Sequence, residues 1–246
     1  MSKKFNRQYR LLLKLTEDSE AIEILPPITI KFSLQRNISS SVNKIKIEIF
    51  NLGKILRNKI FQDRFNIKKY KKIILQAGYN ELSTIFVGNL LEAYSYRQGT
   101  NIITYILAQD GGYSVINSYS NFSVNKGTSF NSVIKKLAGG MKKLSLGKFS
   151  DFQGSFKRGA VFNGNTFNLL KKNSNENVFI DLEKINVLKE NEVLKGQVSL
   201  ISSKTGLLGT PIRRDTIIEV ELLFEPKIII SQLVEIKSTI NKLFDG

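Results

Sequence analysis

The strongest constraint on this chain is a period of two. Ile28, Ile30, Phe32 and Leu34 alternate with Thr29, Lys31 and Ser33, and Ile45, Ile47 and Ile49 alternate with Lys44, Lys46 and Glu48. Successive side chains of a strand point to opposite faces, so this pattern specifies strands with one buried and one wet face. Leu11, Leu13 and Leu15 imply an earlier strand, and Ile73 to Tyr79, Ile85 to Tyr96 and Ile102 to Ala108 imply three more. In the last of these, apolar residues fall on both parities, as in a strand covered on both faces. Asn51-Leu52-Gly53 ends one strand, and Lys54 to Lys72 reads as a short basic helix plus loop with Ile55, Ile60 and Phe61 as its sparse apolar side. Six such strands with one helical insertion predict a tube-like antiparallel β-barrel or sandwich over residues 1–110.

Past Asp110-Gly111-Gly112 the period changes. Phe130, Val133, Ile134 and Leu137 sit at helical spacing, with Thr128 or Ser129 as N-cap and Gly139-Gly140 as the stop. The phrase Gly164-Asn165-Thr166-Phe167-Asn168-Leu169-Leu170-Lys171-Lys172 repeats that grammar. Residues 111–195 are therefore expected to be an inserted αβ region of two small units, the second closing with strands at Val178 to Leu182 and Ile185 to Leu188. Two unrelated helices that merely share capping residues would look the same.

From Gly196 the alternation returns: Ile218, Val220, Leu222 and Phe224 follow the punctuated stretch Gly206 to Pro211, and Ile228 to Ile230 and Leu233 to Ile236 look like a strand pair. Residues 196–246 are read as the β segment of a second tube-like domain. The terminal Asp245-Gly246 is a turn dipeptide, so a further strand is expected downstream. The fold class that follows is α+β, mainly β.

With 246 residues the chain can bury an ordinary core. It contains no Cys, His or Trp. Disulfides, zinc fingers, Cys nucleophiles and imidazole chemistry are thereby excluded. No run approaches 18 apolar residues, so no transmembrane helix is expected. Phosphate loops and calcium loops fail on their glycine and carboxylate spacing. Ser-Lys pairs are too abundant to inform, and no two acids are placed at a shared cleft. The expectation is no enzyme, no catalytic residue, no cofactor and no metal. The sequons Asn37-Ile38-Ser39 and Asn121-Phe122-Ser123 carry no meaning without a secretion signal.

The net charge is +16, unevenly spread. Residues 1–110 hold 18 basic and 9 acidic groups, residues 111–195 hold 13 and 6, and residues 196–246 hold 6 and 6, so the last fifth is neutral. One dense run, Lys54, Arg57, Lys59, Arg64, Lys68, Lys69, Lys71 and Lys72, is a candidate basic interaction surface; a second runs from Lys135 to Arg158. Such runs could bind phosphate or be solvated faces.

Several phrases in order carry a resemblance: Ile45 to Leu52 before a basic helix, Ile74-Leu75-Gln76-Ala77-Gly78-Tyr79, Ile85-Phe86-Val87-Gly88-Asn89-Leu90, Arg97 to Asn101, Thr104 to Gly111, Asn125 to Leu137, Thr205 to Pro211 and Leu222 to Ile228. Together they resemble the baseplate hub proteins of contractile-tailed bacteriophages, the late control D superfamily that includes the hub half of type VI secretion spike proteins. Gly78 and Gly88 are candidate strand-bend glycines, permitting close backbone approach in a curved sheet; ordinary barrel corners would use them too.

The resemblance implies a structural homotrimer whose tube-like domains, two per subunit, form a ring between a hexameric tail tube protein and a trimeric central spike protein. Other baseplate proteins would be neighbours, and DNA would pass through the ring without specific binding. It also implies a virion tail baseplate location after synthesis in the host bacterial cytoplasm, with no membrane insertion. The family's usual sequence after the final Asp-Gly, and its usual late Trp, are missing here. A pore that conducts DNA should not have an attractive wall, so both basic runs are expected to face outward or to meet acidic neighbours. The alternative is a basic β-barrel that binds nucleic acid.

Overall fold

The computed structural model describes residues 4–38, 42–65, 70–175 and 178–238. Among them are 16 strands and four helices. The first part is a seven-stranded sheet built from β1 (Arg7–Lys14), β2 (Ile22–Ile24), β3 (Ile30–Gln35), β4 (Lys44–Phe50), β5 (Lys72–Tyr79), β6 (Glu81–Gln98) and β7 (Asn101–Gln109), with α1 (Lys54–Ile60) between β4 and β5. The spatial order is β2-β1-β5-β6-β7-β4-β3, all antiparallel. The sheet curls into a sandwich-like shell without closing into a barrel.

The predicted alternation sets the core. Ile45, Ile47 and Ile49 turn inward with Leu11, Leu13, Ile73, Leu75, Ile106 and Ala108, and all are buried. Their polar neighbours Lys44, Lys46 and Glu48 stay on the outer face. Each buried Leu or Ile side chain stabilises by about 1.5–3 kcal/mol through area removed from water. The basic helix forms as expected, but only Ile60 of its expected apolar side reaches the core. Ile55 is 73% and Phe61 58% exposed. The reason is helical spacing: Leu56 and Ile60, four residues apart, share the face packed on the core, which leaves Ile55 off it and Phe61 beyond the helix end.

The second part contains α2 (Gly112–Asn117), β8 (Tyr119–Val124), α3 (Phe130–Gly139), β9 (Ser145–Phe149), β10 (Ala160–Asn165), α4 (Thr166–Asn173), β11 (Val178–Asp181) and β12 (Lys184–Val187). Ser129 caps α3 by accepting from the Ser132 amide at 3.2 Å, and Asn165 caps α4 by accepting from the Asn168 amide at 3.1 Å. The two helices carry their apolar faces, Val133, Ile134 and Leu137 on one and Phe167 and Leu170 on the other, into one shared core. The strands interlock to match: β8 pairs with β10, while β9 lies parallel to β12.

The third part comprises β13 (Leu194–Ser202), β14 (Leu207–Arg214), β15 (Ile217–Leu222) and β16 (Gln232–Lys237). Here two expectations fail. The stretch Gly206 to Pro211, read as punctuation, enters strand β14, because Gly209 at φ +64° lets a bulge carry Pro211 out of register between Leu208 and Ile212. Ile228 to Ile230 forms no strand, and β16 instead runs parallel to β13. Asp245 and Gly246 lie outside the described residues.

One turn gathers a dense set of polar contacts between the first two parts. Leu182 and Glu183, at φ 53° and 57°, form the tight link between β11 and β12. Arg36 grips Asp181 through both Nη2 contacts at 2.6 Å and Nε at 3.0 Å. Asn43 donates to the Ile180 carbonyl at 2.9 Å, and Lys72 pairs with Glu183. Asp110, only 1% exposed, accepts from the amides of Leu182 at 2.7 Å and Glu183 at 2.9 Å. Burial pushes its carboxyl up to about 7, against the lowering effect of those two amides and with Asp181 and Glu183 nearby as further raising charges.

A carboxyl whose folded pKa lies above its ordinary 3.8 keeps its proton longer in the folded state, so its contribution is fullest below about pH 4 and is lost as pH rises through about 7. From this group alone, stability at pH 8 is expected to be about 2–3 kcal/mol below that at pH 5. Denaturant titrations of the wild type and of Asp110→Asn at both pH values check this. The substitution should flatten the difference by that amount, and an unchanged difference would assign the slope to other groups.

Candidate interaction surface

Among the described residues the cations of the basic run take different roles. Lys54, Arg57 and Lys59 lie on α1, and Arg64 is exposed in the turn that follows. Lys68 and Lys69 fall outside the described residues. Lys71 turns back on α1: its Nζ donates to the Phe61 carbonyl at 2.7 Å and to those of Lys59 and Ile60 at 3.4 Å, placing a cation where the helix ends in unpaired carbonyls. Lys72 is held by Glu183. Among the described residues the exposed cations of this run are thus Lys54, Lys59 and Arg64, with Arg57 half-buried among them.

What α1 lies beside gives this group its chemistry. The amide of Gln62 donates to the Ala93 carbonyl, and that of Ala93 to the Gln62 carbonyl, both at 2.9 Å, which ties the segment after the helix to the outer edge of β6. Beyond that bridge a pocket of about 500 Å³ opens between Lys54, Arg57, Asn58 and Phe61 on one side and Tyr94 and Ser95 on the other. The Nε of Arg57 is buried with no acceptor. Tyr94 stacks against Tyr105 at 5.1 Å and Tyr96 at 6.1 Å between ring centroids. Sequence reading missed Tyr94, Tyr96 and Arg97 because they belong to a different strand from the basic run. The available signal was the length of the expected strand from Ile85 to Tyr96, which exceeds that of the strands expected at Ile73 to Tyr79 and Ile102 to Ala108.

The second run is dispersed over exposed positions. Lys136 stands over the Phe122 ring at 4.2 Å, and Lys143 pairs with Glu17, which raises its pKa.

Gly88 lies on β6, and Gly78 on β5 opposite the first residues of β6. The first half of β6 pairs with β5 and its second with β7, and Asn89 sits opposite both Lys72 and Gln109. Extra residues at Ile85 and Leu91 bulge the strand on either side of this change. At Gly88 a Cβ would lie 2.5 Å from the Gln109 carbonyl oxygen and 2.7 Å from Phe86 Cζ, and at Gly78 only 1.9 Å from the Glu81 carbonyl oxygen. Both positions admit no side chain.

This architecture can be compared with known proteins. A family model described as "Baseplate hub gp41" matches residues 11–246. The chain belongs to that family. The hub family is a phage tail family, and the role it assigns is structural. Two solved structures share the fold. A tail protein from Neisseria meningitidis MC58 covers 96% of the chain, with 73% of its own length matched, at TM-score 0.55 and 9% identity. The 43 kDa tail protein of prophage MuSo2 from Shewanella oneidensis covers 94%, with 74% of its length matched, at TM-score 0.52 and 10% identity. No curated protein matches the sequence significantly. The resemblance of the ordered phrases to baseplate hubs is thereby borne out.

If the two glycines are required by backbone approach, Gly88→Ala and Gly78→Ala should each cost about 2 kcal/mol or more, within the range for overpacking and strain. Gly53→Ala, where a Cβ meets nothing within 4 Å, should change stability by less than about 0.5 kcal/mol. Chemical denaturation of the three variants checks both expectations.

Proposed function

We propose that this protein is the hub ring of a contractile tail: a non-enzymatic homotrimer that joins a hexameric tail tube to a trimeric central spike, other baseplate proteins surrounding it and DNA passing through. Its place would be the virion baseplate, after synthesis in the host cytoplasm. The division into a tube-like domain at residues 1–110, an αβ insertion at 111–195 and a second β segment at 196–246 belongs to this reading.

The observation that carries it is the condition of the third part. The hairpin β14–β15 has no third strand among the described residues. Ile212 is 53% and Ile217 63% exposed, and Leu208 and Ile218 are exposed as well. A two-stranded hairpin is marginal in water by itself, and clustered exposed aliphatics mark an interface. A ring supplies the missing neighbour from the next subunit, by a head-to-tail contact that closes on itself.

One observation favours a second reading. Phe61 and Tyr94 stand beside Lys54 and Arg57, so aromatic side chains border the basic group in space. A nucleic-acid-binding β protein would use such a surface.

Native mass separates the two. The hub reading expects about 84 kDa, three times the 27.9 kDa chain, with little change between 0.05 and 0.5 M salt. The second expects a smaller particle whose affinity for single-stranded DNA falls steeply and log-linearly with salt.

A further inference from the structure

The bridge between Gln62 and Ala93 is the last contact on the outer edge of β6. In an antiparallel ladder the outward-facing amides and carbonyls recur every second residue. Ser95 and Arg97 therefore present theirs beyond Ala93, and no described strand pairs with them. Side chains alternate across the same stretch. Ser95 and Arg97 share the face of Ala93, whereas Tyr94 and Tyr96 occupy the other; Lys54, Arg57 and Phe61 of the α1 segment line one pocket with both Tyr94 and Ser95 at this edge. The receiving edge thus carries Arg97 on one face and two tyrosines on the other, with the cations of α1 beside it, among them an Arg57 Nε without a partner among the described residues.

β15 has the complementary pattern. Its outer edge is likewise without a described partner. Glu219 and Glu221 fall on one face with Ile217, and Ile218, Val220 and Leu222 on the other. Glu219 makes one contact, a 3.0 Å pair with Arg214 of its own hairpin that is more than half exposed on the arginine side and contributes little. Added beside β6, this strand would bring its carboxylates to Arg97, Lys54 and Arg57 and its aliphatic residues to Tyr94 and Tyr96. Main-chain bonds would supply affinity, and the alternating faces would fix register.

We propose that the outer edge of β6, from Tyr94 to Gln98, receives β15 of a second copy of this chain. The joint rests on the ring reading above and specifies it: each subunit gives its acidic hairpin to the basic edge of the next. The hairpin itself holds Asp215, Glu219 and Glu221 against Arg213 and Arg214, a slightly acidic balance set against the basic excess of the first part.

The chain has no cysteine, so introduced pairs report without background. Chains carrying one cysteine at Ser95 or Arg97 and one at Glu219 or Glu221 should oxidise to covalent dimers and closed trimers for at least one pairing. The same cysteines introduced singly should give no closed trimer. Glu219→Lys with Glu221→Lys should reduce the native mass from three copies to one, and adding Lys54→Glu, Arg57→Glu and Arg97→Glu should restore three. A trimeric wild type whose paired-cysteine variants form no cross-link and whose charge-reversed variant keeps three copies would overturn this joint and leave the ring intact, its β6 edge then serving a different protein. A wild-type monomer would remove the ring reading and the joint with it.

Discussion

Every amide and carbonyl along a strand needs a partner, and in this molecule that demand concentrates on β6. Its 18 residues are too many for either neighbour, so β5 pairs with the first half and β7 with the second. The two half-sheets are thereby rotated against each other and enclose a common core, with Phe86, Leu90 and Ala93 facing it from either side of the change. Bulges at Ile85 and Leu91 absorb the bend, and Gly88 lets the end of β7 come close. The same arrangement leaves the far end of β6 with one partner instead of two. The shape of the shell and its open edge have a single origin.

The half-buried strands were legible because burial itself wrote their pattern. Ile45 to Ile49 and Ile73 to Tyr79 sit where the alternation put them, and the helices at Phe130 and Thr166 start at the capping residues that the sequence displays or one position away. Elements escaped where the pattern was thin. β2 has three residues, β9 only five, and β14 hides its period behind Gly209 and Pro211. Ile228 to Ile230 shows the opposite error, since three β-branched residues in a row satisfy strand preference without any neighbour to pair with.

The candidate surface was legible in part. Charge density marked α1, yet composition could not say which lysines are engaged within the molecule. Lys71 closes its own helix and Lys72 reaches across to Glu183, 111 positions away in sequence. Tyr94 and Tyr96 became relevant only when Gln62 tied α1 to Ala93. Contacts at such separations leave no local trace, because they depend on how the sheet curls and not on any window of residues.

The turn at Leu182 and Glu183 has a mechanical consequence. Arg36, Asn43, Lys72 and Asp110 hold its side chains and backbone from separate parts of the large sheet, all within four consecutive residues. Torque on the αβ unit would load these bonds together, and releasing any one would shift strain onto the rest. The turn would therefore act as a stiff pivot that gives way as a whole, transmitting small displacements faithfully until the load exceeds what the set can bear.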